Sequence, residues 1–192
     1  MYRFNDSFIK NQFLSISENY ILNQLYKDKR TIKGFITNAT LSPNSSYHLH
    51  SMEEFNRGEI VTLKGKYYMV SGDVILDRVS KYKGILDYCN FQHDIMKSEK
   101  VLIGVDDLGR PIYETKQVLD RSEYGILRYK DIAIETNSAI NSVTPIYTLF
   151  IRDTVDNRSY FTVNQKIDVG DKLLSIFNII YTKQGLLEIR LQ

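Results

Sequence analysis

Histidine, cysteine and paired carboxylates build most catalytic and metal centres, and this chain has few of them in suggestive spacing. Its 192 residues include three histidines and one cysteine. His48 and His50 form an H-x-H pair. On a strand both imidazoles would leave the same face, which suits a metal ion. A third ligand would have to come from elsewhere, with His93, Glu53 and Glu54 as the options; a solvated strand edge is the simpler expectation. Cys89 has no partner for an internal disulfide, so the fold does not depend on oxidation. Nothing around it suggests the histidine partner or the lowered pKa that a catalytic thiol needs. It is expected to be a small buried residue at the end of a strand. Asp106 and Asp107 stand in a D-D-L-G string before Arg110 and Pro111, which reads as a turn. A calcium loop would need more alternating oxygen ligands.

The familiar catalytic signatures are missing from the sequence. There is no G-x-S-x-G, no H-E-x-x-H and no G-x-x-x-x-G-K-[ST]. Gly65 and Gly72 are too far apart to cradle a phosphate, and they belong to hairpins rather than to the start of a helix. Carboxylates are scattered among lysines. No enzyme is therefore expected, and no catalytic, cofactor-binding or metal-ligating residue is assigned; no cofactor is implied. Basic and aromatic residues do interleave at Lys64, Lys66, Tyr67 and Tyr68, and again at Lys81, Tyr82 and Lys83. Such a face could stack bases and neutralise phosphates on a small barrel. The competing explanation is that tyrosine is a good strand former and lysine protects an edge.

The elements that would carry these residues are mostly strands. Apolar residues make up 43% and charged residues 25% of the chain, which excludes a disordered protein. The net charge of +2 is too small to predict nucleic-acid binding by itself. The length fits one large domain or two small ones, with a core that needs neither disulfide nor metal. No apolar run reaches the roughly 18 residues of a membrane-spanning helix. Residues 1–13 lack the apolar core and cleavage site of a signal peptide. Asn5, Asp6 and Ser7 are capping residue types, and Ile9, Phe13, Ile16 and Tyr20 then recur at helical spacing. An amphipathic helix over 7–26 is expected, as an arm packed on its own domain or on a neighbouring subunit.

After Arg30 the period changes to two. Strands are expected over 31–39, 47–51, 67–70, 81–89 and 97–105, with a ribbon opening at Gly58 and a turn at residues 64–66. The last of these strands ends in the hairpin turn 106–109. Further strands are expected over 110–119, 125–129, 132–135, 147–151, 160–163, 173–182 and 186–191, with turns at 156–157, 169–171 and 183–185. The fold class is mainly β: an N-terminal amphipathic helix, a small β-barrel-like domain, then a second β-sandwich-like region. The expected segments are an arm at 1–30, a barrel at 31–120 and a C-terminal β domain at 121–192.

Several of these motifs resemble the head–tail connector proteins of tailed bacteriophages, the head-closure or stopper proteins of the virion neck. The resemblance rests on GEIVTLKGKYYMV, with Gly58, Glu59, Ile60, Val61, Gly65, Tyr68 and Val70, and on KYKGILDYCN, with Tyr88, Cys89 and Asn90. VDDLGRPIYE is similar to the family's acidic-Gly hairpin, and YTLFIRD and IIYTKQGLLEIRL resemble the end of its longer members. Many relatives carry a Trp where Tyr67 or Tyr68 stands; this chain has no Trp. The resemblance implies a virion structural protein made in the host cytoplasm and placed at the portal vertex. It would form a homo-oligomeric ring between the portal or an adaptor ring and the tail proteins. Genomic double-stranded DNA would pass through the lumen, and no membrane partner is implied. Residues 41–47 and 73–80 would be the lumen or interface loops. A tail terminator, a collar protein and a single-stranded nucleic-acid module are the alternatives.

Overall fold

The computed structural model describes residues 6–25, 28–38, 46–77, 81–130 and 146–192. The chain is mainly β, with a short N-terminal helix, a closed six-stranded barrel and a second sheet that is nearly closed. The barrel is formed by β1 (Glu18–Leu25), β2 (Asp28–Asn38), β3 (Tyr47–Ser51), β4 (Ile60–Leu63), β5 (Lys66–Val70) and β7 (Lys81–Tyr88). Neighbours run β3-β2-β1-β4-β5-β7, and β7 pairs back onto β3 to close the ring. β6 (Ile75–Asp77) lies on the same side of β7 as β5 and forms the edge of this sheet.

Alternation along these strands sends one set of side chains into the barrel. Tyr20 opposes Ile32 and Val61 opposes Tyr68, and all four are buried in one cluster with Leu49, Val70 and Leu86. The β4–β5 connection is a two-residue turn with Lys64 at φ 50° and Gly65 at φ 75°. Both values are positive, as a turn matched to the twist of paired strands requires.

The N-terminal helix is shorter than its periodicity predicts. α1 spans Asp6–Ile16, and the segment expected to continue it is strand β1. The Ser17 hydroxyl donates to the Phe13 carbonyl at 2.7 Å and satisfies one of the last free carbonyls of the helix. Beyond it β1 gains ladders on two sides, with β2 and β4, which a helix could not supply. Long-range pairing thus overrides the local preference of 18–25. α1 is anchored through buried Phe13, whose ring lies 4.9 Å from Phe35.

The second sheet runs β11-β12-β13-β10-β9-β8. Its members are β8 (Phe91–Val105), β9 (Pro111–Lys130), β10 (Ile146–Arg152), β11 (Lys166–Val169), β12 (Lys172–Ile180) and β13 (Leu186–Leu191). Leu149, Ile151, Ile167, Ile176, Leu187 and Ile189 are fully buried in its core. The turn expected at 156–157 and the strand expected at 160–163 are instead the short helix α2 (Val155–Tyr160) and the coil after it. Thr154 caps this helix, accepting from the Asn157 amide at 3.1 Å. Asn157 is fully buried and donates its side-chain amide to the Arg152 carbonyl at 2.9 Å. Phe161 then enters the core, so one anchor residue stops the chain from running on as a strand.

The barrel and the second sheet share a third cluster of Ile60, Met69, Cys89, Ile126 and Leu186. Ile60 and Met69 sit directly opposite each other on the outward face of β4 and β5. This ribbon is therefore buried on both faces, which is why its sequence is nearly continuously apolar. Two glycines seal the same junction. Gly58 and Gly185 have φ of 87° and 84°, and a Cβ on Gly58 would fall 1.9 Å from the Gly185 carbonyl oxygen. Arg57 Nε donates to the Gln184 carbonyl at 2.6 Å beside them.

The chain divides into two compact units, 1–91 with 124–192, and 92–123. The segment boundaries expected at 30 and 120 each fall inside a strand, β2 and β9 respectively. No helix among the described residues is long and apolar enough to cross a membrane.

Candidate functional site

His48 and His50 share a face of β3, as expected, with ring centroids 6.2 Å apart. His50 is buried, lies flat on Phe35 at 4.6 Å and has its Nε2 3.1 Å from the Thr37 hydroxyl. His48 is half-buried, and burial, aided by the charge of Lys83, lowers its pKa. Glu53, one possible third ligand, accepts a hydrogen bond from the Lys33 amide at 2.9 Å. Among the described residues no group of three potential ligands forms. His50 packs on Phe35 of β2, and β3 is paired on both sides, with β2 and β7, so the pair is not at the solvated edge expected from the sequence.

Cys89 follows β7 and is buried in the cluster between the two sheets. Burial, with the negative charge of Asp87, pushes its thiol up to about 12. A thiol so held is protonated and inert near neutral pH.

The interleaved tyrosines and lysines do not form an open platform. Tyr68 is buried inside the barrel, edge-on to Tyr47 and Tyr88, and burial raises its pKa. Tyr67 is half-buried and stacked on Tyr124 at 4.0 Å. Tyr82 packs against the barrel core. Tyr88, with Lys66 Nζ 5.8 Å over its ring, is the exposed aromatic of this region.

The most unusual surface lies in the unit 92–123, a long hairpin made from β8 and β9. Its turn is the one expected. The Gly109 amide donates to the Asp106 carbonyl, and the Asp106 amide donates to the Arg110 carbonyl, both at 2.9 Å. The Asp106 carboxylate accepts from the amides of Leu108 and Arg110, and Gly109 takes φ 77°. Farther along, the Ser122 hydroxyl donates to Asp94 at 2.6 Å, which lowers the Asp94 pKa together with Gln92. Counting outward from the Asp106–Arg110 pair sets Val105 across from Pro111 and Ile103 across from Tyr113. Alternation then puts Val101, Ile103, Val105 and Tyr113 on one face and Leu102 and Ile112 on the other. All six are exposed, from 36% for Val101 to 64% for Val105.

The sequence announces this hairpin as strands at 97–105 and 110–119, but not the exposure of its apolar residues, although a signal is present. A run such as V-L-I-G-V is apolar on both faces, which ordinarily means a strand covered on both sides. In a two-stranded hairpin nothing within the ribbon provides that cover.

The loops expected at 41–47 and 73–80 are seen in part. Residues 41–45 and 78–80 lie outside the described residues, as do Ala39 and the strand expected at 132–135; 73–77 contain β6. No protein-family model, curated protein or solved structure matches this chain.

Proposed function

We propose that this chain is a structural component of the tailed-phage virion neck, part of the head–tail connector that closes the DNA-filled head and docks the tail. The observation that carries the reading is the exposed apolar hairpin 92–123, joined in one chain with a barrel whose interior is filled by its own side chains. A subunit of an assembly needs a stiff body and uncovered apolar surface for its neighbours. The motifs that resemble connector proteins fall on the structural parts: Gly58 at the glycine seal, Gly65 in the β4–β5 turn and Tyr68 and Val70 in the barrel core. The groups best suited to chemistry, His50 and Cys89, are engaged in packing, so the role is mechanical rather than catalytic.

On this reading the chain forms a ring at the portal vertex, with the portal or an adaptor ring on one side and tail proteins on the other. DNA slides through the lumen, which a net charge of +2 favours because weak phosphate attraction does not arrest it. The nucleic-acid module has less support, because Tyr68 is unavailable for stacking. Purified virions, probed by mass spectrometry and by antibody labelling in the electron microscope, test the proposal. The expected result is the chain in mature particles with label at the neck. Its absence from particles, with tight salt-dependent binding to oligonucleotides, would overturn it.

A further inference from the structure

We propose that the distal half of the β8–β9 hairpin packs on the β6 edge of a second copy of this chain, so that protomers join head to tail. The contact deepens the neck reading and takes the ring from it. Three observations point to this occupant. The hairpin exposes Val101, Leu102, Ile103, Val105, Ile112 and Tyr113. Val101, Ile103, Val105 and Tyr113 share one face, and side chains of this size at such exposures show on the order of 100 Å² each, so that face by itself reaches the several-hundred-Å² range that marks an interaction surface.

A second uncovered apolar feature lies on the barrel sheet. Among the described residues β6 pairs with β7 on one side and is the last strand of its sheet. Ile75 and Leu76 on β6 are 64% and 59% exposed, and Ile85 on β7 is exposed as well. An edge strand of this kind is a template for pairing with another strand. The distal part of β8 is itself at the end of its sheet.

Charge matches the two features. Residues 99–116, the distal half of the hairpin, hold four acidic and three basic side chains, a net of −1. Residues 73–83, which hold β6 and the stretch of β7 paired with it, carry three basic and two acidic side chains, a net of +1. Opposite signs steer a hairpin toward the barrel of another copy and set hairpin against hairpin at a disadvantage. Because the two patches differ, the contact is heterologous, and repeated heterologous contacts close into rings when the rotation allows.

The test uses native mass spectrometry and light scattering on the full chain over a range of concentrations. Two double variants are needed, Ile103→Lys with Val105→Lys in the hairpin and Ile75→Lys with Leu76→Lys at the edge. All four positions are exposed, and circular dichroism checks that each variant folds. The wild type is expected to associate, and each variant to associate roughly a hundredfold more weakly. An equimolar mixture of the two variants is expected to form a two-copy species and stop there, because one intact hairpin meets one intact edge. If a variant fails to fold, Ile103→Cys and Leu76→Cys chains mixed under oxidation provide the second measurement, with a disulfide between copies expected. A monomeric wild type, variants that associate like the wild type, or a mixture that stays monomeric each overturn the contact. Association that survives both substitutions leaves the neck reading standing. Absence of the chain from virions removes that reading and leaves the contact measurable.

Discussion

Cys89 shows how burial converts a reactive group into packing. The unfolded thiol loses its proton near 9.0, whereas the folded one holds it to about 12. The unfolded chain therefore binds fewer protons between these values. The stability linked to this group is fully present below pH 9.0 and is lost as pH rises toward 12. Tyr20 acts in the same direction, since burial and then its hydrogen bond to Glu18 raise it from 10.0 to about 12. Urea unfolding at about pH 8 and about pH 10.5 should show lower stability at the higher pH. A thiol reagent at about pH 8 should label Cys89 in urea and leave it unlabelled in the native protein. The glycine seal gives a sharper expectation. Gly185→Ala meets both a positive φ and the Arg57 carbonyl 2.2 Å from the new Cβ. Its cost should reach or exceed roughly 1–3 kcal/mol, read as a lower urea midpoint.

At the scale of elements, the β4–β5 ribbon does two jobs because its two faces meet different cores. Val61 and Tyr68 fill the barrel, while Ile60 and Met69 face the second sheet. Met69→Ala should cost about 2–5 kcal/mol, as a fully buried side chain with partners on the outer face. The hairpin should behave in the opposite way. Replacing 99–116 by a short turn removes almost only exposed residues, so the melting temperature should change little. The turn at 106–109 was legible in the sequence because an Asp side chain and a Gly at positive φ act within a few residues. The end of α1 was not legible. Ile9, Phe13, Ile16 and Tyr20 keep helical spacing, yet Tyr20 opposes Ile32 across a ladder that local sequence does not announce.

At the scale of the whole molecule, the cluster of Ile60, Met69, Cys89, Ile126 and Leu186 couples the barrel to the second sheet. Calorimetry should show the two sheets melting in one transition, and Leu186→Ala should broaden or split it by removing a shared contact. Association belongs to this scale too: the proposed contact would join the exposed apolar surface of the hairpin to that of β6, two unlike patches on one chain.

Local chemistry was enough to determine the β class and most strands of the barrel, and the turns at Gly65, Gly109, Gly170 and Gly185, because side-chain alternation and positive φ are properties of short segments. It also marked Cys89 as a buried residue. Tertiary structure alone decided that 18–25 is a strand, that His50 and Tyr68 lie inside while V-L-I-G-V lies outside, and that one ribbon serves two cores. Burial and pairing depend on what arrives from distant parts of the chain, and alternation within a segment does not encode the identity of the covering surface.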